Sequence, residues 1–401
     1  MTTLNTVTTR RDFIMKYSNR ILNTPPSFTR RILAAAADPK IISFAGGLPN
    51  PASFPMADIQ KSLNRVIGEY GDKLFQYATT PGYEPLRQYI ADRYNNQHEL
   101  GITADDVLIT TGSQQALDLI GKAILNEGDG LIIEEPGYLG AIQAFSIYQP
   151  DFITVPLEEK GLNIDALNDA LKAPHVKCMY TVPTFQNPSG LTYSKENRLE
   201  VAKALEDKDV FLIEDDPYGD LRFRGEALPY IGINNIEHGI ILGSFSKTIT
   251  PGMRLGFVIT RNKELMHHIN IAKQASDLHT NIFAQIVIYD YLTNNDYAGH
   301  IQKIIKMYSK QAGVMLEAMD QYFPDYVKYT DPDGGMFIWA TLPEEQSAMD
   351  LFHKSMAENV AFVPGNPFYV DKESVNTLRL NYTNSTDEMI VEGIKRLGGV
   401  M

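Results

Sequence analysis

From about Asp105 onward the chain alternates short β-rich runs with amphipathic helical patterns, and this alternation constrains the fold more than any other feature. It is the pattern of an α/β domain with a largely parallel sheet. DVLITTG precedes the helical pattern SQQALDLIGKAIL, GLIIEEP precedes YLGAIQAFSIY, and DFITVPL precedes NIDALNDALK. KCMYTVP leads through a loop to KENRLEVAKALED, and VFLIEDDP, IILGSF and GFVIT complete the run. From Asn262 to about Tyr322 the pattern turns mostly helical, with YLTNNDYAG as a break between helices. The end of the chain mixes strand-like GGMFIWATL, NVAFVPG and NTLRLNYT with helical AMDLFHKSM and EMIVEGIKRL, which predicts a second, smaller α+β domain. Neither an internal repeat nor a low-complexity linker is visible, so both domains are expected to pack as one body.

Polar residues gather where the predicted strands end. Ser113 follows LITTG, Asn187 follows YTVP, Asp215 closes FLIE and Lys247 follows ILGSF. Ligands of open α/β sheets bind beyond the carboxyl ends of the strands, so these four are expected to converge on one site. Lys247 is the most informative of them. Lysine is among the residues least often buried, yet GSFSKTITPGMRLGF surrounds it with small, hydroxyl and apolar residues and nothing resembling a solvated helix face.

GSQQ at 112–115 opens a helix whose free N–H groups, with the Ser113 hydroxyl, form an anion site, although taken alone it reads as a plain N-cap. GSFSKT lacks the glycine before the lysine and the spacing of a P-loop, and no GxGxxG follows a strand, which argues against nucleotide binding through either motif. An amine withdrawn from water and set near another cation loses preference for its proton and condenses with an aldehyde. Ser244, Ser246 and Arg254 would hold the phosphate of such an aldehyde, and pyridoxal 5′-phosphate meets those requirements. Its ring nitrogen needs a carboxylate, which EDDPYGD supplies as Asp215, with Tyr218 three residues on. The same acidic cluster reads alternatively as a divalent-metal site, ranked lower because no histidine lies nearby.

Composition narrows the partners. The 401 residues carry a formal charge of −13, which repels phosphate backbones and argues against nucleic acid or an anionic membrane. The single cysteine, Cys178, lies in the apolar run VKCMYTV and reads as a buried core residue. Without an apolar signal region or a membrane-length stretch, a cytoplasmic enzyme is expected. NYT at Asn381 and NST at Asn384 match the glycosylation pattern, but carry little weight in that setting.

The set TTGSQQALDL, EEPGYLGAIQAF, PTFQNPSG, EDDPY, GSFSKTITPGMRLGF and NTLRLNY resembles fold-type I, class I pyridoxal-phosphate aminotransferases. SFAGGLPNPASFP further resembles the branch with 2-aminoadipate and kynurenine aminotransferases and the transferase-like domains of some regulators. The resemblance runs from about Ser43 to Tyr382. It implies a large domain over 46–295 with a mostly parallel seven-stranded sheet flanked by helices. The arm and part of the small domain would lie in 1–45, and the small C-terminal α+β domain in 296–401.

By the same resemblance Lys247 joins the cofactor and serves as the base, while Asp215 holds the ring nitrogen. Asn187 and Tyr218 donate to the ring's phenolic oxygen, and Tyr138 stacks on its face. Ser113, Gln114, Ser244, Ser246 and Arg254 cradle the phosphate, and Tyr77 reaches the phosphate of a neighbouring subunit, which implies a homodimer with shared sites. Arg379 forks onto the substrate α-carboxylate, Gly47 borders the substrate, and Arg30 is where related 2-aminoadipate enzymes read a side-chain carboxylate. The implied activity is ping-pong transfer of an amino group from 2-aminoadipate, aromatic, branched-chain or glutamate donors to a 2-oxo acid such as 2-oxoglutarate. A β-lyase or decarboxylase stays open, because the cofactor site alone does not choose which bond breaks. A regulatory module is disfavoured, since no helix-turn-helix region is expected before the transferase motifs.

Overall fold

The computed structural model describes residues 17–24, 32, 38–234, 238–372 and 375–401. Its large sheet has the order Val107–Thr110, Gly256–Ile259, Gly239–Ser244, Phe211–Asp216, Val176–Thr181, Gly130–Glu135, Asp151–Glu158, Gly161–Leu162. The five strands from Gly239–Ser244 to Asp151–Glu158 are parallel to their neighbours. Seven strands were expected. The eighth is the two-residue Gly161–Leu162, which folds back antiparallel on Asp151–Glu158 and is too short to leave a pattern.

Gly256–Ile259 is antiparallel to both of its neighbours. It follows Gly239–Ser244 without a crossover helix, and a direct return can only be antiparallel. The connecting loop therefore sits at the carboxyl edge of the sheet, and it carries Lys247 and Arg254.

Both faces of the sheet are covered, so its strands read as nearly unbroken apolar runs. Leu131, Ile133, Tyr180, Ile213 and Leu242 pack with Leu117 and Ile120 of helix Ser113–Ile124 and with Leu265 and Ile269 of helix Lys263–Gln274. The alternate residues Ile132, Met179 and Leu212 face Leu167, Val201 and Leu205 on helices Ile164–Ala170 and Lys195–Leu205. Full burial of each such side chain stabilises the domain by roughly 1.5–3 kcal/mol. Cys178 lies in the first of these layers, fully buried.

A second sheet orders Lys328–Tyr329, Phe337–Thr341, Thr377–Asn381 and Val363–Pro364, all antiparallel. Ile42–Ser43 pairs in parallel with Val360–Ala361, and the Asn381 N–H then donates to the Phe44 carbonyl at 2.8 Å. These bonds bring the 44–48 segment beside the strand that carries Arg379. Helix Asp387–Gly398 backs this unit, with the Thr386 side chain capping its start, Asp387 and Glu388 in its first turn and Lys395 and Arg396 in its last, as the helix dipole favours. Among the described residues no helix is long and apolar enough to cross a membrane.

Candidate active site

Loops from the carboxyl ends of the central strands meet the second sheet around a cavity of about 250 Å³. Gly47, Ser113, Gln114, Tyr138, Asn187, Asp215, Tyr218, Ser244, Ser246, Lys247, Arg254 and Arg379 all line it. The Tyr77 side chain is 80% exposed, sets its ring edge-on to His279 at 6.0 Å, and does not line the cavity of its own chain. Arg30 lies outside the described residues.

Lys247 Nζ donates to the Gly47 carbonyl at 2.8 Å. Loss of solvent, with Arg379 and Arg254 adding like charge, brings its pKa down to about 8. The free amine is thus accessible near neutrality, as a nucleophile toward an aldehyde requires.

Asp215 is the penultimate residue of strand Phe211–Asp216, fourth in the order of the sheet, and is 2% exposed. Its Oδ2 accepts from the Tyr180 hydroxyl at 2.8 Å, while Oδ1 is buried with no hydrogen-bond partner among the described residues. Burial pushes the carboxyl up to about 7; Asp216 and Glu134 add to the rise and Tyr180 opposes it. An orphaned buried acceptor calls for a donor from a ligand, and a pyridinium N–H is one.

Arg379 sits mid-strand in Thr377–Asn381, opposite Trp339 and Val363, and is 2% exposed. Nη1 donates to Asn187 Oδ1 at 2.7 Å and Nη2 to the Ala45 carbonyl at 2.8 Å, while Nε has no partner. The guanidinium lies 4.3 Å from the centre of the Phe337 ring and 5.2 Å from that of Phe368. No carboxylate among the described residues pairs with it, and burial lowers its pKa to about 10. A buried cation held only by neutral groups is costly to leave without an anion. Asn187 also turns its Nδ2 toward the Tyr218 hydroxyl at 3.4 Å, so one amide links Arg379 to Tyr218.

At the other end helix Ser113–Ile124 begins after Gly112, whose φ is +75°. A Cβ on Gly112 would lie 2.5 Å from Arg254 Nη2, and one on Gly256 would lie 2.8 Å from Ser113 N. The two glycines thus let Arg254 and its strand press against a helix N-terminus, a ready anion site. Arg254 itself has φ of +52°, a conformation that side chains other than glycine seldom adopt. Ser244 Oγ accepts from the Ser246 N–H at 3.1 Å, and Gln114 Nε2 donates to the Gly140 carbonyl at 2.9 Å. Gly140 also makes room for Tyr138, since a Cβ there would fall 2.5 Å from the Tyr138 ring.

An anion cradle, an amine with a lowered pKa and a carboxylate with one unpartnered oxygen thus line one small cavity, with an amide and a phenol between them. These are the groups that pyridoxal phosphate needs at its phosphate, aldehyde, ring nitrogen and phenolic oxygen, and the residues fit it. Sequence reasoning missed Tyr180, Phe337 and Phe368. Tyr180 is opposite Ile213 in register, which makes it a diagonal neighbour of Asp215 on the same face. That register was its only signal. Phe337 and Phe368 lie in runs that read as plain core.

Residues 44–397 match the family described as aminotransferase class I and II. The aromatic-amino-acid aminotransferase 1 of Thermococcus litoralis is 40% identical over 96% of this chain and 94% of its own. The 2-aminoadipate transaminase of Thermus thermophilus is 40% identical over 93% of each chain. Among solved structures, the Pyrococcus horikoshii kynurenine aminotransferase in complex with PMP superposes with a TM-score of 0.91 at 40% identity, covering 96% of both chains. With a chain-length family match and a cavity of this chemistry, the protein belongs to the class I and II aminotransferases.

Proposed function

We propose that this aminotransferase takes the amino group of 2-aminoadipate, aromatic, branched-chain or glutamate donors and passes it, by a ping-pong cycle, to a 2-oxo acid such as 2-oxoglutarate. The observation that carries the reading is Arg379, a buried guanidinium that no carboxylate among the described residues pairs with, lining the same cavity as the Lys247 amine. The names of the relatives support the aromatic and 2-aminoadipate donors.

Pyridoxal phosphate, when bound, supplies the electron sink for the substrate Cα–H bond and the place where the amino group waits between half-reactions. Arg379 would hold the substrate carboxylate through a planar fork and so orient the substrate in the cavity. Lys247, whose amine lines the cavity with a lowered pKa, would be the group that takes the substrate Cα proton. Asp215 would hold the ring nitrogen, Asn187 and Tyr218 the phenolic oxygen, and Tyr138 the ring. Ser113, Gln114, Ser244, Ser246 and Arg254 hold the phosphate. The exposed Tyr77 suits a homodimer in which it would reach the phosphate site of the partner subunit, and the enzyme is assigned to the cytoplasm. Arg30 is assigned to a donor's side-chain carboxylate, and Gly47 to the substrate's edge.

Purified protein loaded with cofactor is expected to lose its visible absorption when an amino donor is added and to regain it with 2-oxoglutarate. Release of ammonia and pyruvate in place of that return would contradict the proposal.

A further inference from the structure

Beside the cavity, and outside its lining, lies a buried carboxylate with a dense set of donors. Glu134 is the penultimate residue of strand Gly130–Glu135 and is 2% exposed. Its Oε1 accepts from the Thr181 hydroxyl at 2.6 Å, the Val182 N–H at 2.8 Å and the Tyr193 hydroxyl at 2.5 Å. Its Oε2 accepts from Gln186 Nε2 at 2.9 Å. Thr181 ends strand Val176–Thr181, Val182 begins the loop that carries Asn187, Tyr193 lies near its end, and Gln186 directly precedes Asn187.

Gln186, fully buried, extends this grip. Its Nε2 also donates to the Pro136 carbonyl at 2.8 Å, and its Oε1 accepts from the Ser189 N–H at 2.8 Å. Its backbone N–H donates to the Leu191 carbonyl at 2.8 Å, and its carbonyl accepts from the Gly190 N–H at 2.6 Å. Asn187 is therefore held from both sides of the chain by contacts that end on one carboxylate.

We propose that Glu134 is a positioning residue for amino transfer: it clamps the 181–193 loop so that Asn187 meets Arg379 with its oxygen and Tyr218 with its nitrogen. The proposal rests on the aminotransferase reading of the cavity. A core role alone would be met by any well-packed apolar side chain, but only an acceptor at both oxygens satisfies these donors. Both Val182 N–H and Gln186 Nε2 are obligate donors, so an amide at position 134 sets N–H against N–H in either orientation. Turning Gln186 over to relieve this would face its oxygen to the Pro136 carbonyl and its nitrogen to the Ser189 N–H. The loop must give way, and Asn187 moves with it.

The test is a double-mutant cycle read by binding. The probe is 3-phenylpropanoate, a carboxylate with no amino group, titrated calorimetrically into the cofactor-loaded enzyme. Glu134→Gln is expected to weaken its binding about tenfold, the scale of one hydrogen bond to a charged group. In an Asn187→Ala background the same change is expected to weaken it by less than about twofold, because the two act through one contact. If Glu134→Gln does not fold, Tyr193→Phe removes one donor and leaves the carboxylate in place, with a smaller loss expected that again vanishes in Asn187→Ala. Unchanged affinity in the single variants, or equal losses with and without Asn187, would overturn the proposal while leaving the aminotransferase reading intact. A wild-type enzyme that does not bind the probe would overturn the assignment of Arg379 to a substrate carboxylate, and the proposal with it.

Discussion

At one end of the cavity Asp215 and Ser244 stand on the ends of adjacent parallel strands, with Lys247 in the loop that follows. At the other, Arg379 comes from the middle of a strand in a different sheet and is held by Ala45 and Asn187 from two further segments. The first end is set by hydrogen-bond register within one sheet. The second exists only once two sheets and the 44–48 segment have docked. Their charges also mirror each other: among the described residues, a buried oxygen of Asp215 finds no donor and a buried nitrogen of Arg379 no acceptor. Each end is left unsatisfied in the direction its ligand would correct, so stability is given up where binding is needed.

The largest effect expected at the first end is that of Lys247→Ala, which should lower turnover by about 10⁴-fold or more, since it removes the proton carrier. Cofactor should remain bound through Asp215 and the phosphate cradle, as measured by single-turnover kinetics beside retention on dialysis. Turnover within tenfold of wild type would remove Lys247 from the chemistry.

Arg379→Lys should reduce kcat/KM for the amino donor about 10²-fold, because an ammonium cannot reproduce the planar fork, while cofactor affinity stays nearly unchanged. Equal losses in both measurements would show that the two ends are one unit and erase the contrast between them.

The ends do communicate through charge, and pH reads that out. Because burial and nearby cations bring Lys247 down to about 8, the rate at which apoprotein takes up cofactor should rise about tenfold per pH unit below that value and level off above it. Arg379→Leu removes one of the like charges, so the midpoint should move upward. For stability the sign follows from proton counts. Between about 8 and 10.5 the unfolded chain binds more protons at this lysine, so its contribution in the apoprotein grows as pH rises through that window.

Tyr77→Phe should have the smallest effect, a rise of about fivefold in the cofactor dissociation constant, the scale of one neutral hydrogen bond. Equilibrium dialysis measures it, and no change would detach Tyr77 from the phosphate.

The first end was largely readable in the amino-acid sequence. A lysine and an aspartate at strand ends, among residues that cannot solvate them, already point to an aldehyde and a ring nitrogen. Arg379 was readable only through resemblance, because nothing within TLRLNY says that its strand will face Lys247 from another sheet. Tyr180 and Glu134 were not readable: each acquires its role from partners set by strand register or by the path of the 181–193 loop. The edge strand Gly161–Leu162 escaped because two residues carry no periodicity. Local chemistry survives in the sequence, whereas partnerships across elements need the fold.

Reduction of the cofactor-loaded protein with borohydride, followed by mass mapping of its peptides, tests the central claim most directly. The phosphopyridoxyl group is expected on Lys247 alone, and prior addition of an amino donor is expected to remove it from that peptide. A label on another lysine, or an active protein that carries none, would contradict the assignment of the cavity.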